Sequence, residues 1–468
     1  MSTKAYLPSR LAELSILMKI ALPLMAAYLA EFAMFVTTKM VVGRLGYREL
    51  AATGLSGTIT FEILIVIMGL LSVVGVLVAH AEGAEDKARA GNSARQGFIV
   101  ATLFGVPATF LVWNLSPLLA LTGQDPEVIA LTRPYLQGLA GSVLPVLWFS
   151  VLRSFVAALA KTGAIMVITV TAVGLNYFLA VGFVRGEFGF PELGLFGAGL
   201  ATTIVSWIMF FSLLVYAFQT PTFRGYGLFL GRLRFDSQIC AEICRLGFPV
   251  AGLVFLESGL FGTVSVLSGV LGAANLAVYE VLIAWVGIPF VIAFGIAEAT
   301  MVRVAYGMGR HSPAAARQSG LLGMAAGVVI LTCLVAVPLG IPEIIVLLFL
   351  DSADPGFSEV FSLAVSLLYI VAIFQVFDGL QAIAARALRA LKDTVAPLWL
   401  AAFGYWVMGI GGGCLLTFPL GLGAAGLWWG MAAGLIITGS LLAVRFFWLT
   451  ARLLSQDTDR PSASARQR

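Results

Sequence analysis

The chain has 468 residues, of which 60% are hydrophobic and only 11% charged, with a formal net charge of +4. A soluble domain carries about 25% charged residues, so this composition excludes a water-soluble globule. The charge excess reflects where the loops face rather than a nucleic-acid partner. Continuous apolar runs such as 63–79 and 321–338 lack the alternation of a membrane β-barrel. With a mean hydropathy of +0.99, they predict an all-α integral membrane protein, since a helix satisfies its backbone polar groups internally.

In chain order, residues 1–13 are polar and carry no small-residue cleavage pattern, so no removable signal peptide is expected. Twelve apolar segments follow, at 14–38, 51–79, 96–120, 130–158, 164–185, 195–219, 243–270, 276–305, 316–339, 357–387, 396–417 and 424–449. The first holds Pro23, Glu31 and Thr38 and ends at Lys39, which is placed to snorkel to the interface. The second holds Glu62. The fourth carries Arg153 near its inner end, read as a structural anchor, and the fifth holds Asn176. A basic stretch within 223–242 reads as a cytoplasmic linker between two bundles, 1–222 and 243–455. Cys240 and Cys244 lie four residues apart without a nearby His, which favours packing over zinc. Pro249 and Glu257 follow in the seventh segment, Glu280, Pro289 and Glu298 in the eighth, and Asp378 in the tenth. A polar cytoplasmic tail, 456–468, closes the chain.

Orientation follows from the cations. With the N-terminus inside, only Lys39, Arg44, Arg48, Arg133 and Arg185 of the 28 Lys and Arg fall outside. That is the bias of the positive-inside rule, and an even number of spans returns the C-terminus to the cytoplasm. A multi-pass protein of a bacterial inner membrane is expected, with the bilayer as its solvent and a monomer as its unit.

A shift of 226 residues overlays the first segment on the seventh. Pro23 meets Pro249, Glu31 meets Glu257, Gly43 meets Gly269, and Gly46 meets Gly272. Six spans per copy make the halves parallel repeats, which predicts two six-helix bundles around a central cavity.

Ionisable groups inside the bilayer cost about 2.5–3.5 kcal/mol each on insertion scales, so each invites a functional hypothesis. Glu257 and Asp378 sit deep in their segments, with no Lys or Arg within a turn. They read either as a site for a coupling cation, H+ or Na+, or as acids satisfied by interhelical hydrogen bonds. As the only metal the sequence suggests, Na+ would sit on Glu257 and Asp378. Glu31, the repeat partner of Glu257, and Glu62, with Thr38 and Asn176, are candidates for a cation or substrate site in the first half. Glu298 is expected to reach Arg303 or the water interface. Pro23 and Pro249 are hinge candidates because the repeat places them alike, although a proline kink can be purely structural. With only His80 and His311 and no clustered nucleophile and base, an enzyme is disfavoured, and no cofactor is expected.

Several stretches together resemble the multidrug and toxic compound extrusion (MATE) family, in its bacterial NorM-type branch. In the first half they are Ala21-Leu-Pro23 with Glu31-Phe-Ala-Met34, Arg95-Gln-Gly-Phe98, 158–162, and Pro191-Glu-Leu-Gly194 with 199–202. In the second half they are Leu246-Gly-Phe-Pro249, Phe255-Leu-Glu257, Arg303-Val-Ala-Tyr306, Phe374-Gln-Val-Phe-Asp378, and Leu391-Lys-Asp-Thr394 before Tyr405-Trp406. The resemblance implies a secondary active antiporter that exports cationic amphiphilic drugs in exchange for Na+ or H+ by alternating access. It also implies a second-half cation site at Glu257 and Asp378. A lipid-linked oligosaccharide flippase of the same superfamily is the competing reading. Three positions depart from the family pattern. Its first-helix aspartate falls on Thr38, one of two fifth-helix asparagines falls on Ala172 while Asn176 is kept, and an aromatic hydroxyl before the tenth-helix acid falls on Phe374. Glu31, two helical turns before Thr38 on the same face, is the candidate substitute acid.

Overall fold

The computed structural model describes residues 9–120, 126–228, 235–347 and 357–458. The centre of the expected linker (229–234), the stretch 348–356 before the tenth segment and most of the polar tail (from 459) lie outside the described residues.

Long helices account for nearly all of it. They are α1 (Arg10–Gly43), α2 (Tyr47–Gly83), α3 (Lys87–Trp113), α4 (Pro126–Ala140 with Val143–Ala158), α5 (Gly163–Arg185) and α6 (Gly194–Gln219). The second half repeats the set as α7 (Ser237–Val270), α8 (Ala273–Gly309), α9 (Pro313–Gly340), α10 (Phe357–Ala390), α11 (Val395–Thr417) and α12 (Gly423–Thr458). Among the described residues, eleven of these are long and apolar enough to cross a membrane singly, and α4, a pair of helices bent by 45°, counts as a twelfth when taken as one span. The twelve segments read from hydropathy match them in order.

The repeat is visible in the backbone. Glu85 and His311, 226 residues apart, both adopt the left-handed conformation in the turn before the third helix of their half (φ 59° and 53°). The next residue caps that helix each time: the Asp86 carboxylate accepts from the Arg89 N–H, and the Ser312 hydroxyl from the Ala315 N–H. Ala160 and Lys392 (φ 56° and 61°) mark the end of the fourth helix in each half.

Contacts divide the chain into two compact units, Ala26–Ala251 and Met1–Met25 with Gly252–Arg468. Sequence reading placed the division in the linker; by contacts it falls inside α1 and α7, two residues after Pro23 and Pro249. The packing at the start of each helix explains this. Glu13, near the start of α1, is held by Arg303 of α8 (Nε–Oε1 2.8 Å, Nη2–Oε2 2.7 Å) and by the Ser319 hydroxyl of α9 (2.6 Å). Asp236, just before α7, takes a bond from Asn92 of α3 (3.0 Å) and donates its N–H to the Gln96 side chain (3.1 Å).

Within the unit containing Gly252–Arg468, α10 packs against α8, α9 and α12, and α11 against α12. In the other, α6 packs on α4 and α5, and α4 on α2 and α3. Close approach is achieved with small residues, as in many membrane helix pairs. A Cβ on Gly430 would lie 2.2 Å from Cα of Gly413, and one on Gly199 would lie 2.4 Å from the Tyr135 carbonyl oxygen. No larger side chain fits at either crossing.

Candidate functional site

Helix α10 presents Gln375, Asp378 and Gln381 at three-residue spacing, hence along one face, and all three are buried. The bundle, not water, must therefore satisfy them. Trp285 of α8 donates to the Gln375 side-chain oxygen at 3.3 Å. Gln381 donates from Nε2 to Oε1 of Glu257 at 2.8 Å, and its own oxygen accepts from the Tyr405 hydroxyl at 2.7 Å. Asp378, three residues before Gln381 on the same helix, lies close enough for the Glu257 charge to act on it.

The structure thus brings together the two acids that depth alone singled out. One oxygen of Asp378, Oδ1, is buried without a hydrogen-bond partner. The two carboxylates supply oxygen ligands of the kind a hard cation or a proton takes, and the Gln381 amide turns its Nε2 toward Glu257 while its oxygen faces the Tyr405 hydroxyl. Among the described residues, no group of three or more His, Cys, Asp or Glu is placed to hold a metal.

Tyr405 reaches this site from an unusual segment. Residues Ala402–Gly411 of α11 wind as a π-helix, which inserts extra residues into the turn and re-aims the side chains. The segment is accommodated by glycines: a Cβ on Gly404 would lie 2.0 Å from the Thr438 hydroxyl, and one on Gly434 2.7 Å from the Gly404 carbonyl. Phe374, where the resemblance leads one to expect a hydroxyl, stacks on Trp428 with ring centroids 5.9 Å apart. The hydroxyl near the acids comes from α11 instead.

Further along the α10 face lie Arg386 and Arg389, both buried. Arg386 is 3.6 Å from Glu298 and lies over the Phe294 ring, 3.6 Å from its centroid. Glu298 therefore corrects an expectation: it is buried and faces Arg386, not Arg303 or water, because Arg303 is already engaged in two bonds by Glu13. Glu280 is exposed.

The first-half candidates separate into two groups. Thr38 donates to Asn176 at 3.0 Å, and both are buried. Glu31 is bound by Arg153 of α4, Nη1 to Oε1, at 2.6 Å. The guanidinium carbon also stands over the Tyr28 ring (4.8 Å) and the Phe149 ring (5.7 Å). Arg153, read from sequence as an anchor, anchors Glu31. Glu62 is half-buried on α2. Among the described residues, no hydrogen bond joins Glu31 or Glu62 to Thr38 or Asn176.

Sequence reasoning missed Gln375, Gln381 and Tyr405 as site members. They are neutral, so intramembrane charge does not flag them. The available signal was the three-residue spacing on either side of Asp378.

Comparison with known proteins matches this chain twice to the sequence model of the MatE family, over residues 23–182 and 249–415. The matches start at Pro23 and Pro249. The chain is 36% identical to a probable multidrug resistance protein NorM of Pseudomonas putida, over 97% of this chain and 98% of that protein. It is 37% identical to a protein described in the same words from Pseudomonas aeruginosa, over 96% and 92%. Its fold is similar to the crystal structure of the eukaryotic MATE transporter AtDTX14, with a TM-score of 0.86 at 22% identity, covering 96% of this chain and all of the other.

Proposed function

Since this chain belongs to the MATE family of multidrug efflux transporters, we propose that it works as an antiporter exporting cationic amphiphilic small molecules in exchange for inward Na+ or H+. Glu257 and Asp378 hold the coupling ion. The observation that carries this reading is the buried Oδ1 of Asp378, which has no hydrogen-bond partner although Glu257 is tied to the Gln381 amide. A buried carboxylate oxygen is costly unless something positive or a hydrogen-bond donor reaches it. A proton or a sodium ion meets that need, and its departure restores the unfavourable state.

In the cycle, ion binding biases the transporter toward one state and substrate toward the other. Each ligand acts only through its differential affinity for the two. One charge crossing a potential of 100 mV contributes about 2.3 kcal/mol, enough for nearly two decades of substrate gradient. Gln381 ties Glu257 to the helix that carries Asp378, and Tyr405 fixes the Gln381 amide. The positive-inside bias supports both termini in the cytoplasm, and the bacterial relatives support a bacterial inner membrane; a monomer is proposed as the working unit. Pro23 and Pro249, at matching places in α1 and α7, are proposed as the bending points.

The test is efflux of a fluorescent organic cation from proteoliposomes holding the purified protein, with sodium and pH gradients imposed separately. Acceleration by either gradient is the expected result. Transport indifferent to both overturns the coupling assignment.

A further inference from the structure

An open groove runs between α9 and α12, with Leu380 of α10 also lining it. It encloses about 480 Å³, and every side chain that lines it is apolar. Side-chain size makes the space: Ala325 and Ala443 stand among bulkier neighbours on their helices and leave the gap between them unfilled. The rim is exposed, with Val329 62%, Val444 65% and Phe447 52% accessible. Within a membrane span, such a face meets lipid chains rather than water.

Charge at one end sets this groove apart from a plain lipid-facing surface. Arg317, one turn before Leu321 on α9, lies over the Phe447 ring, 4.4 Å from its centroid. Arg452 of α12 lies over the Trp448 ring at 5.7 Å. Among the described residues, neither guanidinium enters an ion pair. The neighbouring Arg445, by contrast, is engaged by Asp393 at 2.6 Å.

As an odd and an even span, α9 and α12 run antiparallel. A Cβ on Gly320 would lie 2.1 Å from the Phe446 ring, which fixes how the two helices align. Starting from the cations, one stripe of α9 reads Arg317, Leu321, Ala325, Val329, and one stripe of α12 reads Arg452, Trp448, Val444. These orders are opposite in sequence and therefore the same in space: cationic at one end, aliphatic at the other. The stretch from Arg317 to Val329 rises about 18 Å, against about 15 Å for the hydrocarbon of one leaflet.

We propose that the groove holds one acyl chain of an anionic phospholipid, whose phosphate rests on Arg317 and Arg452. In the orientation proposed above, the cations lie at the cytoplasmic end, so the lipid comes from the inner leaflet. Basic sites between helices on that side bind anionic headgroups, and a guanidinium pairs with phosphate oxygens through two N–H groups. The same arginines repel a cationic amphiphile, so the groove is not a place for the proposed substrate. The inference does not depend on the antiport reading.

The test is native mass spectrometry of the purified protein in detergent, mixed with phosphatidylglycerol or phosphatidylcholine carrying identical chains. The parent should retain one phosphatidylglycerol at least about fivefold more often than phosphatidylcholine. Arg317→Gln should lower phosphatidylglycerol retention about fivefold, while Arg317→Lys should stay within about twofold of the parent. Arg224→Gln, which removes an exposed cation elsewhere, should retain the lipid as the parent does. Ala325→Trp fills the groove and should lower retention of both lipids. If that variant fails to fold, the Arg317 pair decides alone.

Equal retention of the two lipids by the parent means that only bulk bilayer lipid covers this face, and overturns the inference. Undiminished phosphatidylglycerol retention in Arg317→Gln overturns it as well. A dimer that dissociates in Ala325→Trp would give the groove to a second copy of the chain instead.

Discussion

Gln381 donates to Glu257 across 2.8 Å from a position one helical turn beyond Asp378. A single neutral amide therefore ties Glu257 to the helix that carries Asp378, and its own oxygen is fixed by the Tyr405 hydroxyl at 2.7 Å. The order of dependence in the site runs from Tyr405 to Gln381 to the carboxylates.

Asp378→Asn removes the acid whose Oδ1 lacks a partner while keeping the side chain's size. Coupling between ion and substrate sites typically amounts to 1–3 kcal/mol, so gradient-driven efflux should fall by about 5- to 150-fold. Substrate binding to the purified protein, followed by fluorescence, should persist. A variant that still responds fully to an imposed gradient would remove Asp378 from the coupling site.

Tyr405→Phe deletes one hydrogen bond to Gln381, and Gln381→Leu deletes the whole bridge. Loss of a bond that leaves a buried partner unsatisfied costs about 1–3 kcal/mol. The ion concentration giving half-maximal efflux should therefore shift several-fold for Tyr405→Phe and further for Gln381→Leu. Equal ion dependence in the parent and both variants would show that the bridge has no part in ion binding.

Gly430→Leu places a side chain where a Cβ already stands 2.2 Å from Cα of Gly413. Overpacking costs about 1–3 kcal/mol, and here the obstruction is backbone, which cannot rotate away. A lowered melting temperature in detergent is expected, together with weaker ion dependence, because α11 carries Tyr405. Gly412, with no neighbouring atom within 4 Å of its Cβ position, is the control, and Gly412→Ala should melt like the parent.

Glu13→Gln breaks the two-bond pairing with Arg303 and leaves a half-buried guanidinium poorly compensated. Removing one partner of a buried pair costs about 3–5 kcal/mol, so thermal stability should drop markedly. The ion concentration for half-maximal transport in the surviving protein should match the parent. A changed ion dependence would place Glu13 within the coupling machinery, contrary to its position in the structure.

Much of the fold was legible because the bilayer imposes a length and a polarity on every span. The same constraint made Glu257 and Asp378 conspicuous, since acids at that depth have few innocent explanations. Partner choice was not legible. Arg153 and Glu31 are separated by 122 residues, and Arg303 and Glu13 by 290, and no local pattern encodes such pairings. Glu298 was assigned to Arg303 by proximity in sequence, but tertiary packing gave Arg303 to α1 and left Glu298 to Arg386. Tyr405 was hidden for a different reason. A π-helix shifts the facing of side chains, so counting by 3.6 residues mispoints everything beyond it.

The division of α1 after Met25 and of α7 after Ala251 bears on any attempt to dissect the protein. Severing the chain within 229–234 would give two fragments of similar length, each retaining an opening stretch whose proper neighbours reside on the other fragment. Neither piece could complete its own interior, so separately expressed halves should be insoluble or rapidly degraded, and activity should return only when both are synthesised together.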